Sequence, residues 1–123
     1  DKKLVLKDIV HFSRFIAAYL QSNVFFTIFK FEYKSTISEG RLKEMLGRTY
    51  DIACFNKNEK TIFLCLINTL SRDSKHIESK IKKICPTIEL IGNKDSSQYS
   101  RGYIHLGQTN DLDSQEGRKA AIK

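Results

Sequence analysis

The stretch Tyr50–Ile67 reads YDIACFNKNEKTIFLCLI. Two apolar segments, Tyr50 to Phe55 and Thr61 to Ile67, flank the polar run Asn56-Lys57-Asn58-Glu59-Lys60. Aromatic and β-branched side chains favour extended backbone, and a short turn-prone interval between two such runs predicts an antiparallel hairpin. The second segment carries an unbroken apolar run, so its strand is expected to be buried on both faces.

Working outward, Val24 to Tyr33 is rich in aromatic and β-branched residues and predicts another strand, with Asn23 ending what precedes it. Thr36 and Glu39 have capping-box spacing ahead of Leu42, Met45 and Leu46, which predicts a short helix from Ser38 to near Gly47. Downstream, Ile77, Ile81, Ile84 and Cys85 share a helical face in a helix that starts near Ser71 and closes before Pro86. Thr87 to Ile91 is expected as a strand, Gly92 to Ser100 as a polar loop and Gly102 to Leu106 as a last short strand. Upstream, Val5, Ile9, Phe12, Ile16 and Leu20 recur every three or four residues, predicting an amphipathic helix from Leu4 to Gln21. That helix either packs on the core or continues a connecting helix and pairs with its twin. The order is that of an α+β fold, a ferredoxin-like antiparallel sheet with packed helices. Residues 1–22 form the N-terminal helix, 23–107 the domain and 108–123 a polar tail.

The 123 residues fit one domain. Lys and Arg total 21 against 14 acidic residues, a formal charge of +7 that favours anionic partners. Cys54, Cys65 and Cys85 are too few and scattered for a disulfide framework and point to a reducing compartment. No apolar run approaches the ~20 residues that cross a bilayer. His11, His76 and His105 are isolated, so neither a metal nor a cofactor is expected. The chain begins at Asp1 without Met, as an excised domain or processed product would.

Arg48-Thr49-Tyr50-Asp51 lies between the short helix and the hairpin. An arginine fork donates to guanine O6 and N7 or to phosphate oxygens, and a carboxylate accepts from guanine N1–H and N2–H. The same spacing also allows a plain surface pair, because Arg48 follows Glu44 by one helical turn.

The segment from Arg48 to Leu66 resembles the GGDEF, or diguanylate cyclase, family at its inhibitory site, where Arg-x-x-Asp shortly precedes the hairpin bearing the Gly-Gly-Asp-Glu-Phe signature. Asn56-Lys57-Asn58-Glu59-Lys60 stands in place of that signature. The family's early metal-binding Asp falls at Lys30, and a lysine repels Mg²⁺. The connection to Arg48 is a helix shorter than in active cyclases. The resemblance therefore implies a degenerate domain without cyclase activity. It extends, with lower specificity, to the helix at His76–Lys82 and to Gly102–Gly107, covering roughly 24–107. The family's second basic residue, usually an arginine, falls at Lys80, which brings charge without the planar fork. A ruined hairpin beside a retained Arg-x-x-Asp resembles the receptors of cyclic di-GMP, including PelD-like receptors that control exopolysaccharide secretion. The implied ligand set is Arg48 and Asp51, with added positive charge from Lys80 and Arg41. Arg72, Lys75 and Lys83 raise only the general potential.

The resemblance implies cyclic di-GMP as ligand, a homodimer or protein partner in a membrane-associated complex, and a cytoplasmic location, including the cytoplasmic part of a membrane protein. Two alternatives stand beside it. One is a structural or dimerisation domain without nucleotide binding. The other is a basic RNA-binding ferredoxin-like module, although Thr61–Ile67 lacks the basic-Gly-aromatic pattern of that fold and no nucleic acid is expected.

Overall fold

The computed structural model describes residues 4–46 and 51–99. The elements run β1 (Leu4–Leu6), α1 (Ile9–Gln21), β2 (Phe26–Glu32), α2 (Glu39–Met45), β3 (Ile52–Asn56), β4 (Thr61–Ile67), α3 (Ser74–Lys82) and β5 (Glu89–Asp95). Short 3-10 turns at Ser71–Asp73 and Ser96–Gln98 precede α3 and follow β5. The strands form one sheet in the order β1-β3-β4-β2-β5.

The expected hairpin forms, with Ile52 opposite Cys65 and Asn56 opposite Thr61. Strand β2 lies inside the sheet and pairs antiparallel with both β4 and β5. Side-chain alternation divides the apolar residues between two layers. Phe29, Phe31, Ala53, Phe55, Ile62 and Leu64 face a layer made by Leu42 and Leu46 at α2 and by Ile81, Cys85 and Ile88 in and beyond α3. Phe26, Ile28, Ile52, Cys54, Phe63 and Cys65 face Phe12, Ile16 and Leu20 of α1. Burying each of these large side chains contributes on the order of 1.5–3 kcal/mol, so both layers belong to the same stable unit.

The N-terminal expectation is corrected at its first turn. Leu4–Leu6 is a strand, parallel to β3 with Leu4 opposite Ile52 and Leu6 opposite Cys54. The helix starts later because the Asp8 carboxylate accepts the Val10 amide at 2.8 Å and caps it there. The sheet is therefore mixed and not wholly antiparallel. Helix α1 packs on the sheet, which decides between the two roles its stripe allowed.

Two smaller differences follow from local pairing. Ser38, not Thr36, caps α2, its hydroxyl accepting the Arg41 amide at 3.2 Å. Strand β5 begins at Glu89 and runs on to Asp95, through residues expected as loop. The register shifts between the Phe31–Leu90 and Lys30–Gly92 pairs, so Ile91 is a bulge after which Lys94 pairs with Ile28. The expected strand at Gly102–Leu106 and the polar tail lie outside the described residues. Among the described residues, no helix is long and apolar enough to cross a membrane.

Candidate functional site

Asp51 stands immediately before β3, at the end of the sheet away from the hairpin turn. It is only 2% exposed. Its Oδ1 accepts the Ile67 amide at 2.9 Å, tying the start of β3 to the end of β4. Two threonines extend this tie. The Thr69 hydroxyl donates to the Ile67 carbonyl at 3.1 Å, and the Thr27 hydroxyl of β2 donates to the Thr69 carbonyl. Asn68, between them, takes a left-handed φ of 53° and donates its amide to the Phe25 carbonyl at 2.8 Å. Three strands thus meet at a short turn held by buried polar groups. The Cys65 thiol is pushed well above its usual range, first by burial and then by the Asp51 charge. Arg48 lies outside the described residues.

The other expected ligand residues, Arg41 and Lys80, are exposed on α2 and α3. Arg41, on α2, pairs with Glu44 at 3.6 Å in an exposed contact, so the Glu44 carboxylate that offered a partner for Arg48 is engaged by Arg41. Arg41 also lines a cleft of about 440 Å³ with the loop Ser35–Ser38 and with Ile84–Pro86 after α3. That cleft lies toward the hairpin-turn end: the same Ser35–Ile37 loop helps line a second cleft, of about 200 Å³, with Phe55, Lys57 and Lys60. Asp51 is at the opposite end. Lys80 is exposed on α3, one position from the buried Ile81.

The turn of the hairpin, Asn56–Lys60, closes on itself. Asn56 Oδ1 accepts the Glu59 amide at 3.2 Å, Lys60 takes a left-handed φ of 54°, and its carbonyl accepts the Tyr33 amide at 3.1 Å. Lys57 places its ammonium 5.7 Å from the Phe55 ring centre. Lys30 points to the α1 side of β2, 3% exposed, with its ammonium 6.0 Å from the Phe63 ring centre. Lys94 sits diagonally across on β5, 5.5 Å from the ring of Tyr99. A divalent cation does not fit here. The position expected to carry a carboxylate carries a buried cation, and no group of three His, Cys, Asp or Glu side chains among the described residues could hold a metal.

Sequence reading missed the burial of Lys30 and Lys94 and the fixing of Asp51 by Ile67. The signal for Lys30 was available, since it occupies an inward register position in the alternating run from Phe26 to Phe31.

A β2 set between β4 and β5, an antiparallel hairpin and α3 leading back to β5 define a GGDEF-like α+β fold. The chain is similar to the crystal structure of a DGC (diguanylate cyclase) protein from Thermotoga maritima, with a TM-score of 0.52 and 21% sequence identity over 73% of this chain and 79% of that one. The likeness is one of fold. No family model matches the chain, and no curated protein matches it.

Proposed function

We propose that this chain is a catalytically inactive GGDEF-like receptor domain. It binds cyclic di-GMP at the Arg48–Asp51 element and passes the bound state to a protein partner. The observation that carries this reading is Lys30: a buried ammonium against Phe63 occupies the strand position where cyclase chemistry calls for a metal-binding carboxylate. The closed Asn56–Lys60 turn, without glycine, supports the same loss. Recognition then needs no turnover. Arg48 grips a guanine edge or a phosphate, the ligand binds as an intercalated pair, and Lys80 adds positive potential that weakens with salt, whereas Arg41, at the other end of the sheet and paired with Glu44, drops out of the ligand set. The partner complex is membrane-associated, with this domain on the cytoplasmic side, and exopolysaccharide secretion is the output that the resemblance names.

Titration calorimetry of cyclic di-GMP on wild type and Arg48→Ala tests this. Micromolar or tighter binding, lost in the variant while the circular dichroism spectrum is kept, supports it. Equal affinity in the two proteins removes the site.

One observation favours a second reading, a structural or dimerisation domain without nucleotide binding. Asp51 is buried and engaged with backbone, as a purely structural carboxylate would be. A folded wild type that takes up no cyclic di-GMP selects that reading.

A further inference from the structure

Helix α3 spends its apolar side on the core: Ile81 is buried in the layer shared with α2, and Ile77 and Ile84 pack against it. The outward side is basic. Arg72, Lys75, Lys80, Lys82 and Lys83 are all exposed, and over residues 72–83 they stand against two acids, Asp73 and Glu78. Spacings of four, seven and eight residues bring Lys75, Ser79, Lys82 and Lys83 onto one strip about 12 Å long, with Arg72 leading into it and Lys80 on its flank. Glu78 sits to one side. Its Oε2 accepts the Leu90 amide of β5 at 3.2 Å and meets Lys82 Nζ at 3.7 Å, so its charge is turned toward the sheet edge.

The chemistry of this strip narrows what it can meet. Four of the five cations are lysines, hydrated point charges without the planar fork that grips a single phosphate or base edge. Residues 72–83 contain no Phe, Tyr or Trp on which an unpaired base would stack. An apolar centre, where protein interfaces concentrate their binding energy and are depleted of lysine, is missing as well. Among the described residues the exposed large apolar side chains are Leu4, Val10 and Leu70, and Leu70 only borders the strip, ahead of the 3-10 turn. With its isoleucines held in the core, α3 has no apolar side to sink into a bilayer. A broad anionic surface of lipid headgroups asks for none of these features and attracts each lysine or arginine that comes near it.

We propose that the outward face of α3 docks the domain on an anionic lipid bilayer by charge, without insertion. Arg72, Lys75 and Lys83 then share a task. Docking of this kind needs no nucleotide and stands apart from the proposed cyclic di-GMP binding.

The intact chain is sedimented with vesicles of phosphatidylcholine, either pure or carrying about 30% phosphatidylserine. Wild type is compared with Lys75→Gln/Lys83→Gln and with Arg14→Gln/Lys57→Gln. The second pair removes the same charge from exposed positions on α1, across the sheet, and in the hairpin turn. Wild type should bind the anionic vesicles and ignore the neutral ones. The α3 variant should lose about thirtyfold in partition coefficient and the control less than about threefold, because charges beyond a Debye length from the membrane are screened. Neither variant touches the residues proposed to hold cyclic di-GMP, so failure of docking and failure of nucleotide binding are seen separately. Circular dichroism checks that both variants are folded, and a salt series on wild type needs no variant at all: binding should be lost by about 0.5 M salt. Equal losses in the two variants, uptake by neutral vesicles, or binding undiminished at high salt would overturn the proposal. So would anionic vesicles left unbound by wild type while poly(U) RNA or polyglutamate is bound and the α3 variant loses it, since the face would then belong to a nucleic acid or an acidic protein.

Discussion

Lys30 and Phe63 face each other in register across β2 and β4, with the ammonium 6.0 Å from the ring centre. The aliphatic stem fills space on the α1 side of the sheet, and the charged tip rests against the negative face of an aromatic ring. A cation so placed is part of the packing. Lys30→Asp should therefore destabilise the fold by about 1–3 kcal/mol, because it removes the stem packed against Phe63 and buries a carboxylate whose lost hydration Lys94, diagonally across on β5, offsets only in part. Lys30→Met should stay within about 1 kcal/mol of wild type, since it keeps the stem and removes the desolvated charge. Urea denaturation measures both. GTP turnover by the wild-type protein in the presence of Mg²⁺ would contradict the proposed absence of cyclase activity.

Thr61, the first residue of β4, is 3% exposed, and its hydroxyl has no hydrogen-bond partner among the described residues. Valine has nearly the same shape and favours strand geometry at least as well. Thr61→Val should raise stability by about 1 kcal/mol, the cost of a buried hydroxyl left unsatisfied. The check is a shift of the urea midpoint to higher concentration at constant m-value, and a lower midpoint would refute it.

Much of this fold is legible from the chain because one-sided burial imprints its period on sequence. The unbroken apolar run of Thr61–Ile67 records burial on both faces of the sheet, and the three-to-four spacing of Phe12, Ile16 and Leu20 records the one layer that α1 faces. Leu4–Leu6 was not legible, since its apolar residues continue the stripe of α1. What makes it a strand is an aspartate cap at position 8 and a distant partner, β3. Gly92–Asp95 has the composition of a loop and is extended only because β2 offers it a ladder. The candidate site divides the same way. Its residue types announce anion recognition, but the commitment of Asp51 depends on Ile67, sixteen residues on, and no local pattern encodes that contact.

Burial pushes the Cys54 thiol up to about 12 from 9.0, with a smaller contribution from Asp8, and pushes Cys65 well up in the same direction. Both groups favour protonation in the folded state, so the stability they contribute is fully present below pH 9 and is lost as pH rises toward 12. Denaturation midpoints should be flat in this respect from pH 7 to about 8.5 and fall above about 9. A thiol reagent at about pH 8 should label neither cysteine until the protein unfolds, because the thiolate is the reactive form. Rapid labelling of Cys65 under native conditions would contradict its burial.

The packing of α1 carries a prediction about the domain's extent. Phe12, Ile16 and Leu20 cover Phe26, Ile28, Ile52, Cys54, Phe63 and Cys65, an apolar surface that would otherwise meet water. Ile16→Ala should cost about 2–5 kcal/mol, the range for a fully buried aliphatic side chain replaced by a methyl group. Cutting the chain after Gln21 should abolish cooperative unfolding, which thermal melts would show. A truncated protein that melts cooperatively at the wild-type temperature would make the helix dispensable to the core.

Lys80 provides the most direct test of the ligand set. It is exposed on α3, beside but not within the layer formed by Ile81, so substitutions there should change stability by less than about 0.5 kcal/mol. Effects on ligand affinity can then be read without correction for folding. An ammonium offers a point charge, whereas a guanidinium offers a planar fork that binds phosphate bidentately and stacks on a base. If Lys80 meets cyclic di-GMP, Lys80→Arg should tighten binding about three- to tenfold, and Lys80→Ala should loosen it by a similar factor with a shallower salt dependence. Calorimetry at two ionic strengths separates this from general attraction by the +7 chain, because loss of a remote charge lowers affinity only slightly and replacing lysine by arginine then changes nothing. Identical affinities for all three proteins would take Lys80 out of the site and leave recognition to the segment around Arg48.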